Sequence, residues 1–175
     1  MSEARLTELY SAAQIAARVR ELAERINRDY AGKNLVVLCI LKGAVIFFAD
    51  LLRHLDNRPE VDFLRVSSYG NADASSGSVQ LIKDAEISLK GRDVLLVEDI
   101  VDSGLTMSFL VRELQKREVN SLRIAALIDK FERRKVDLLV DYPGFTLNKG
   151  FLVGYGLDFA EKYRELPAVY ELHYE

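Results

Sequence analysis

Four consecutive aliphatic residues, Val94-Leu95-Leu96-Val97, run directly into Glu98-Asp99-Ile100-Val101-Asp102-Ser103-Gly104-Leu105-Thr106. An unbroken apolar run of this kind reads as a strand buried on both faces, the pattern of a parallel sheet covered by helices. A helical pattern starts straight afterwards, around Met107. Open α/β sheets bind ligands outside the carboxyl ends of their strands, so Glu98, Asp99 and Asp102 stand where chemistry is expected. The small residues of Ser103–Thr106 would let backbone N–H groups converge on an anion near a helix N-terminus, which suits a phosphate. Three acids beside it would repel that phosphate unless sugar hydroxyls or a divalent cation of the Mg²⁺ type take up their charge. The segment therefore predicts a phosphorylated sugar with magnesium; the alternative is a strand followed by a solvated acidic turn.

The rest of the chain repeats the strand–helix alternation. Ser11 followed by Gln14 makes a capping box, and Ile15, Val19, Leu22 and Ile26 recur at helical spacing, with Gly32 as the stop. Residues 35–41 form a second buried strand, leading into Lys42-Gly43-Ala44 and a helix whose apolar stripe is Val45, Phe48, Leu52 and Leu55. The alternation of 61–66 predicts a half-exposed strand. Residues 67–78 are rich in Ser, Gly, Asn, Asp and Ala and read as a mobile loop, with Leu81-Ile82 and Ile87–Leu89 returning from it. A helix is expected over about 105–117, and strands over 122–128, 136–140 and 150–154. Right-handed βαβ units around a mostly parallel sheet follow, in an α/β fold of one domain over 1–175.

A formal net charge of −3 argues against general nucleic-acid binding, which needs a basic face. The single cysteine, Cys39, lies inside an apolar run and reads as a small buried hydrophobe. No intramolecular disulfide is possible, which fits a reducing cytoplasm. His54 and His173 have no neighbouring thiol, so a zinc site is not expected. No signal-peptide pattern or membrane-spanning segment is read, and the default is a cytoplasmic protein. Gly154 and Gly156 begin like a dinucleotide fingerprint, but Phe159 stands at the third glycine position and the context is wrong.

The segment from Val94 to Thr106 resembles the phosphoribosyl pyrophosphate (PRPP) motif of type I phosphoribosyltransferases, and among these the hypoxanthine-guanine phosphoribosyltransferases. Leu41-Lys42-Gly43-Ala44 resembles the family's pyrophosphate loop, with Ala44 replacing a second glycine, and Ser68-Tyr69 its flexible loop. Lys130 and Phe151–Asp158 resemble its base pocket, and Arg164 its pyrophosphate arginine. The resemblance covers most of the chain from Leu35 to Arg164 and implies the type I fold. That fold carries a flexible flap over about 67–80 and a base-binding hood drawn mainly from 142–175.

The resemblance also assigns roles. Lys42, Gly43 and Arg164 would contact pyrophosphate, with a non-proline cis bond near Lys42. Glu98 and Asp99 would hold the ribose hydroxyls or their magnesium, and Ser103, Gly104, Leu105 and Thr106 the 5′-phosphate. Asp102 would accept or relay the purine imidazole proton, although an ordinary aspartate, with a pKa near about 4, is a weak base. Ser68 and Tyr69 would close over the reacting centre and exclude water. Lys130 would donate to the purine six-position oxygen, which disfavours adenine because a donor there would meet a donor. Phe151 would stack on the purine, Leu152 would read its edge through the backbone, and Asp158 would help hold Mg²⁺. Arg133, Arg134 and Lys135 read as a solvated charged turn.

The implied activity joins hypoxanthine or guanine to PRPP, giving IMP or GMP and pyrophosphate, in a homodimer or homotetramer. Three alternatives stand beside it: a xanthine-preferring enzyme, a pyrimidine-operon RNA-binding attenuator of the same fold, and a nucleotide-binding module without catalysis.

Overall fold

The computed structural model describes residues 5–69 and 78–173. Its elements, in chain order, are β1 (Arg5–Tyr10), α1 (Ala12–Asp29), β2 (Leu35–Leu41), α2 (Val45–Leu52), β3 (Glu60–Tyr69) and β4 (Ser78–Lys83). They are followed by β5 (Asp93–Val101), α3 (Leu105–Gln115), β6 (Ser121–Lys130), β7 (Tyr142–Leu147), β8 (Leu152–Val153) and β9 (Val169–His173).

Six strands form the central sheet in the order β4-β3-β2-β5-β6-β7, and three form a small sheet in the order β1-β9-β8. Within the central sheet β3-β2-β5-β6-β7 pair in parallel and only β4 is antiparallel. The apolar runs are continuous because alternate residues serve two separate cores. On β2 and β5, Leu35, Val37, Cys39, Leu95 and Val97 face the layer made with α1 and α2. Val36, Leu38, Ile40, Val94 and Leu96 face the layer that contains Met107, Leu110 and Leu114 of α3. Each central strand is thus sealed on both sides, which commits it to the sheet interior.

The Ser11 capping box is formed: Ser11 Oγ accepts from Gln14 N at 3.2 Å, and Gln14 Oε1 from Ser11 N at 2.8 Å. Ile15, Val19, Leu22 and Ile26 are all buried, as their spacing predicts. The stripe expected for α2 is rotated, because Phe47, Phe48 and Leu51 are its buried residues, whereas Val45 is exposed. The helix ends at Leu52, and Leu55 joins the core from the turn beyond.

The strands at the site are longer than their apolar runs. β5 extends through Glu98 and Asp99 to Val101, and β6 to Lys130. Parallel pairing with the neighbour, Val101 against Asp129 at the last row, holds polar residues in strand geometry where hydrophobicity alone would end the strand. The strand expected over 136–140 is absent; that segment is irregular, and the next strand is 142–147. There Pro143 and Gly144 are tolerated on an edge strand that pairs only with β6. Residues 87–89 likewise form no strand, and β4 covers 78–83.

Two strands had no expectation attached to them. β1 and β9 pair antiparallel, Arg5 against His173 and Leu6 against Leu172, and β9 pairs with β8 at Leu152 and Val153. The small sheet therefore draws on both ends of the chain, while β7 belongs to the central sheet. The loop read over 67–78 is in part a hairpin, with Ser67, Ser68 and Tyr69 on β3 and Ser78 on β4; residues 70–77 lie outside the described residues. No helix among the described residues is long and apolar enough to cross a membrane.

Candidate active site

The carboxyl ends of β2, β5 and β6 meet beneath the small sheet. Two adjoining cavities open there. The larger, about 370 Å³, is lined by Asp99, Asp102, Lys130, Phe151, Leu152 and Asp158, together with Glu132 and Arg133. The smaller, about 130 Å³, is lined by Glu98, Asp102, Ser103, Gly104 and Thr106. Asp102 is a wall of both.

The smaller cavity has the local structure of an anion site. Gly104 precedes α3 with φ +79°, a left-handed conformation that L side chains rarely adopt. Gly104 itself offers no side-chain cap, so beyond Leu105 the first-turn N–H groups of α3 point to where an anion is favoured at a helix N-terminus. Ser103 Oγ accepts from Leu105 N at 3.3 Å, and Ser103 O accepts from Lys135 N at 2.9 Å, which ties the loop down from below.

Glu98 and Asp99 are adjacent on β5, where successive side chains ordinarily diverge, yet their carboxyls meet. Asp99 N donates to Glu98 Oε1 at 3.0 Å, and the two side chains share a hydrogen bond. Burial raises the pKa of Glu98 well above the usual carboxylate value, and the Asp99 charge adds to the rise. Burial also raises that of Asp99. Gly43 packs closely on Asp99, and a Cβ there would force the Asp99 carboxylate to move from its place beside Glu98. A buried Glu98 and a half-buried Asp99, both with raised pKa values and hard oxygen donors, form a site that a divalent cation would relieve.

At the other margin, the Leu41–Lys42 peptide bond is cis. Lys42 Nζ contacts Glu161 Oε2 at 2.9 Å, and Arg164 Nη2 lies 3.5 Å from the same oxygen. The two cations assigned to pyrophosphate thus converge on one carboxylate. The Lys42 ammonium holds the Glu161 carboxyl below its ordinary pKa. Arg164 also contacts Asp158 Oδ1 at 2.8 Å, while Asp158 Oδ2 accepts from Glu161 N at 2.8 Å. Both oxygens of Asp158 are therefore engaged by the protein. No group of three or more His, Cys, Asp or Glu side chains poised for a metal occurs among the described residues.

In the larger cavity Lys130 is only 5% exposed, with its ammonium 3.5 Å from Asp102 Oδ2 and 3.3 Å from Glu132 Oε2. The other Asp102 oxygen, Oδ1, is buried and accepts no hydrogen bond from the described residues. Phe151 is 44% exposed at the rim, with Phe159 edge-on to it at 5.6 Å. Leu152 is buried on β8 behind it.

Lys42, Gly43, Glu98, Asp99, Asp102, the 103–106 loop, Lys130, Phe151, Leu152, Asp158 and Arg164 thus gather at one sheet edge. Ser68 and Tyr69 lie on β3, which pairs with β2, and their side chains lie outside what is described. The solvated turn expected at 133–135 is only partly so. Arg133 lines the larger cavity, and Arg134 is largely buried. Glu132 and Glu161 carry no local signal of a role; the fold sets them against Lys130 and Lys42.

A phosphate loop, an acidic pair and a lysine-floored cavity on one α/β sheet edge define a transferase of activated phosphosugars. The chain matches the phosphoribosyl transferase domain over residues 5–160 and belongs to the hypoxanthine-guanine phosphoribosyltransferases within that family. It is 46% identical to a hypoxanthine-guanine phosphoribosyltransferase of Bacillus subtilis, covering 92% of this chain and 89% of that one. Its identity to the enzyme of the same name from Streptococcus thermophilus is 45%, with the same coverage. The crystal structure of a hypoxanthine phosphoribosyltransferase from Staphylococcus aureus superposes with a TM-score of 0.92 at 42% identity, covering 95% of this chain and 91% of that one.

Proposed function

We propose that the protein transfers the phosphoribosyl group of PRPP to hypoxanthine or guanine, giving IMP or GMP and pyrophosphate. The observation that carries this reading is Asp102, the charged residue common to a phosphate-sized cavity and a base-sized one, with a buried oxygen that has no hydrogen-bond partner among the described residues.

The bond that forms joins the purine imidazole nitrogen to the anomeric carbon; the bond that breaks joins that carbon to pyrophosphate. Inversion through a transition state of oxocarbenium character needs positioning and charge more than a protein nucleophile. Ser103–Thr106 anchor the 5′-phosphate, and Glu98 and Asp99 face the ribose. Lys42 and Arg164 receive the pyrophosphate, exchanging their contact with Glu161 for it. Phe151 offers its exposed face to the purine, a stacking contact worth about 1–3 kcal/mol. Lys130 donates to the six-position oxygen, and Leu152 reads the base edge. Asp102 Oδ1 takes up the imidazole proton, and the flap bearing Ser68 and Tyr69 closes to keep water out.

Glu98 and Asp99 suit Mg²⁺ through their oxygens. Asp158 would join them only through water or after releasing Arg164. Bound magnesium supplies charge neutralisation for ribose hydroxyls and pyrophosphate. A homodimer or homotetramer in the cytoplasm is the setting that family resemblance supports; the buried Cys39 thiol, raised to about 12 chiefly by burial, is consistent with an unreactive cysteine.

The test is turnover with PRPP and magnesium against hypoxanthine, guanine, xanthine, adenine and uracil, with Asp102→Asn alongside. Hypoxanthine and guanine should be used and adenine and uracil refused, and the variant should lose turnover. A preference for xanthine would move the substrate assignment. Activity with no base would end the reading, and an unchanged rate and pH profile in Asp102→Asn would remove its proton role.

A further inference from the structure

We infer that Arg134 is a positioning residue that couples the phosphoribosyl half of the site to the base half. This rests on the function proposed above. Arg134 lines neither cavity, so it acts through its neighbours. Its side chain is 14% exposed, and its guanidinium stands where the β5–β6 ladder runs out.

The last paired row of that ladder is Val101 against Asp129. Beyond it the two strands lead to Asp102 and Lys130, the residues that meet the proton and the base; Lys130 still pairs with Leu147 of β7, but no further β5–β6 backbone pairing ties Asp102 to it. Arg134 takes over at this point. Nε donates to Asp102 O at 3.0 Å, while Nη2 donates to Val101 O at 3.1 Å and to Lys130 O at 3.0 Å. Nη2 also pairs with the buried carboxylate of Asp129, and Nη1 reaches Leu138 O at 3.3 Å. The guanidinium carbon lies 4.9 Å from the centre of the Phe131 ring.

One rigid planar fork therefore binds carbonyls on both strand ends. An ammonium is a point charge on a flexible stem and could satisfy Asp129 without spanning both strands. The same turn also supports the phosphate loop: Lys135 N donates to Ser103 O at 2.9 Å, and Val136 Cγ2 lies 2.8 Å from the position a Cβ on Gly104 would take. Loosening Arg134 should thus release Asp102 against Lys130, whose side chains meet at 3.5 Å.

The test compares wild type, Arg134→Lys and Arg134→Gln in full steady-state kinetics with PRPP, hypoxanthine and adenine. Thermal melts and circular dichroism report the folded fraction, and Lys90→Ala, at an exposed cation that lines neither cavity, is the control. Arg134→Lys should fold while kcat falls about tenfold to a hundredfold, because a small misplacement of reacting groups costs that much. The preference for hypoxanthine over adenine should narrow with it, and Lys90→Ala should match wild type. A purely structural role would lower Tm and leave kcat, both KM values and the base preference of the folded enzyme unchanged. That result in Arg134→Lys overturns the inference, even if Arg134→Gln fails to fold. A wild-type enzyme inactive with every base would instead reject the function, and the inference with it.

Discussion

At single residues, the acidic pair explains why a stable core ends in a costly motif. Glu98 and Asp99 bind protons more readily in the folded chain than in the unfolded one, because burial disfavours their charge. By linkage, the stability tied to a raised carboxyl pKa is fullest below the unfolded value, about pH 4, and is lost as pH rises through the folded value. At neutral pH without a divalent cation the pair therefore destabilises the fold. Glu98→Gln should raise Tm by several degrees at neutral pH, with the difference closing towards about pH 4. Calorimetry across that range in a chelating buffer checks it; an unchanged or lowered Tm at neutral pH would contradict it. The acids and Lys130 could be read in the chain because they follow apolar runs, whereas Phe151 stands out only through the family resemblance. Glu161 could not be read, since its partner Lys42 is 119 residues away and no motif or apolar strand run marks its position.

Among the elements, the small sheet is where sequence reasoning fell short. β1 has the pattern Arg5-Leu6-Thr7-Glu8-Leu9-Tyr10, too weakly alternating to stand out, and it is a strand because β9 supplies its partner. β8, which brings Phe151 and Leu152 to the cavity, pairs with β9 at only two residues. A two-stranded remnant of that size is marginal in water. Tyr10 also stacks on Phe145 of β7 with ring centroids 3.9 Å apart, pinning the small sheet to the large one. Removing residues 1–9 should therefore raise KM for the purine several-fold and leave KM for PRPP nearly unchanged, because the phosphate loop is carried by β5 and α3. Equal effects on both substrates would show that β1 stabilises the whole chain rather than the base side. The strands β2, β5 and β6 posed no such difficulty, because a strand buried on both faces advertises itself in four or more aliphatic residues.

For the whole molecule, the reacting groups come from β2, β5, α3, β6, β8 and the turn after it, so ligand and fold are linked. PRPP bound across the acidic pair, the phosphate loop and the Lys42–Arg164 cradle should raise Tm in the presence of magnesium, and by much less once a chelator removes the metal. Binding to the native state alone adds about 2.7 kcal/mol at a hundredfold excess over Kd. Melts with PRPP, with and without magnesium, measure this; equal shifts in both would remove Glu98 and Asp99 as the metal site. The parallel α/β class, the phosphate loop and the acids were legible in the linear chain, because periodicity and turn chemistry are local and each strand declares its own burial. Which charges meet was decided by tertiary structure alone. Arg134 spans two strand ends, Glu161 lies against Lys42, and the two ends of the chain join in one sheet. A long side chain's partner is set by the register of strands dozens of residues apart, and no local pattern encodes that register.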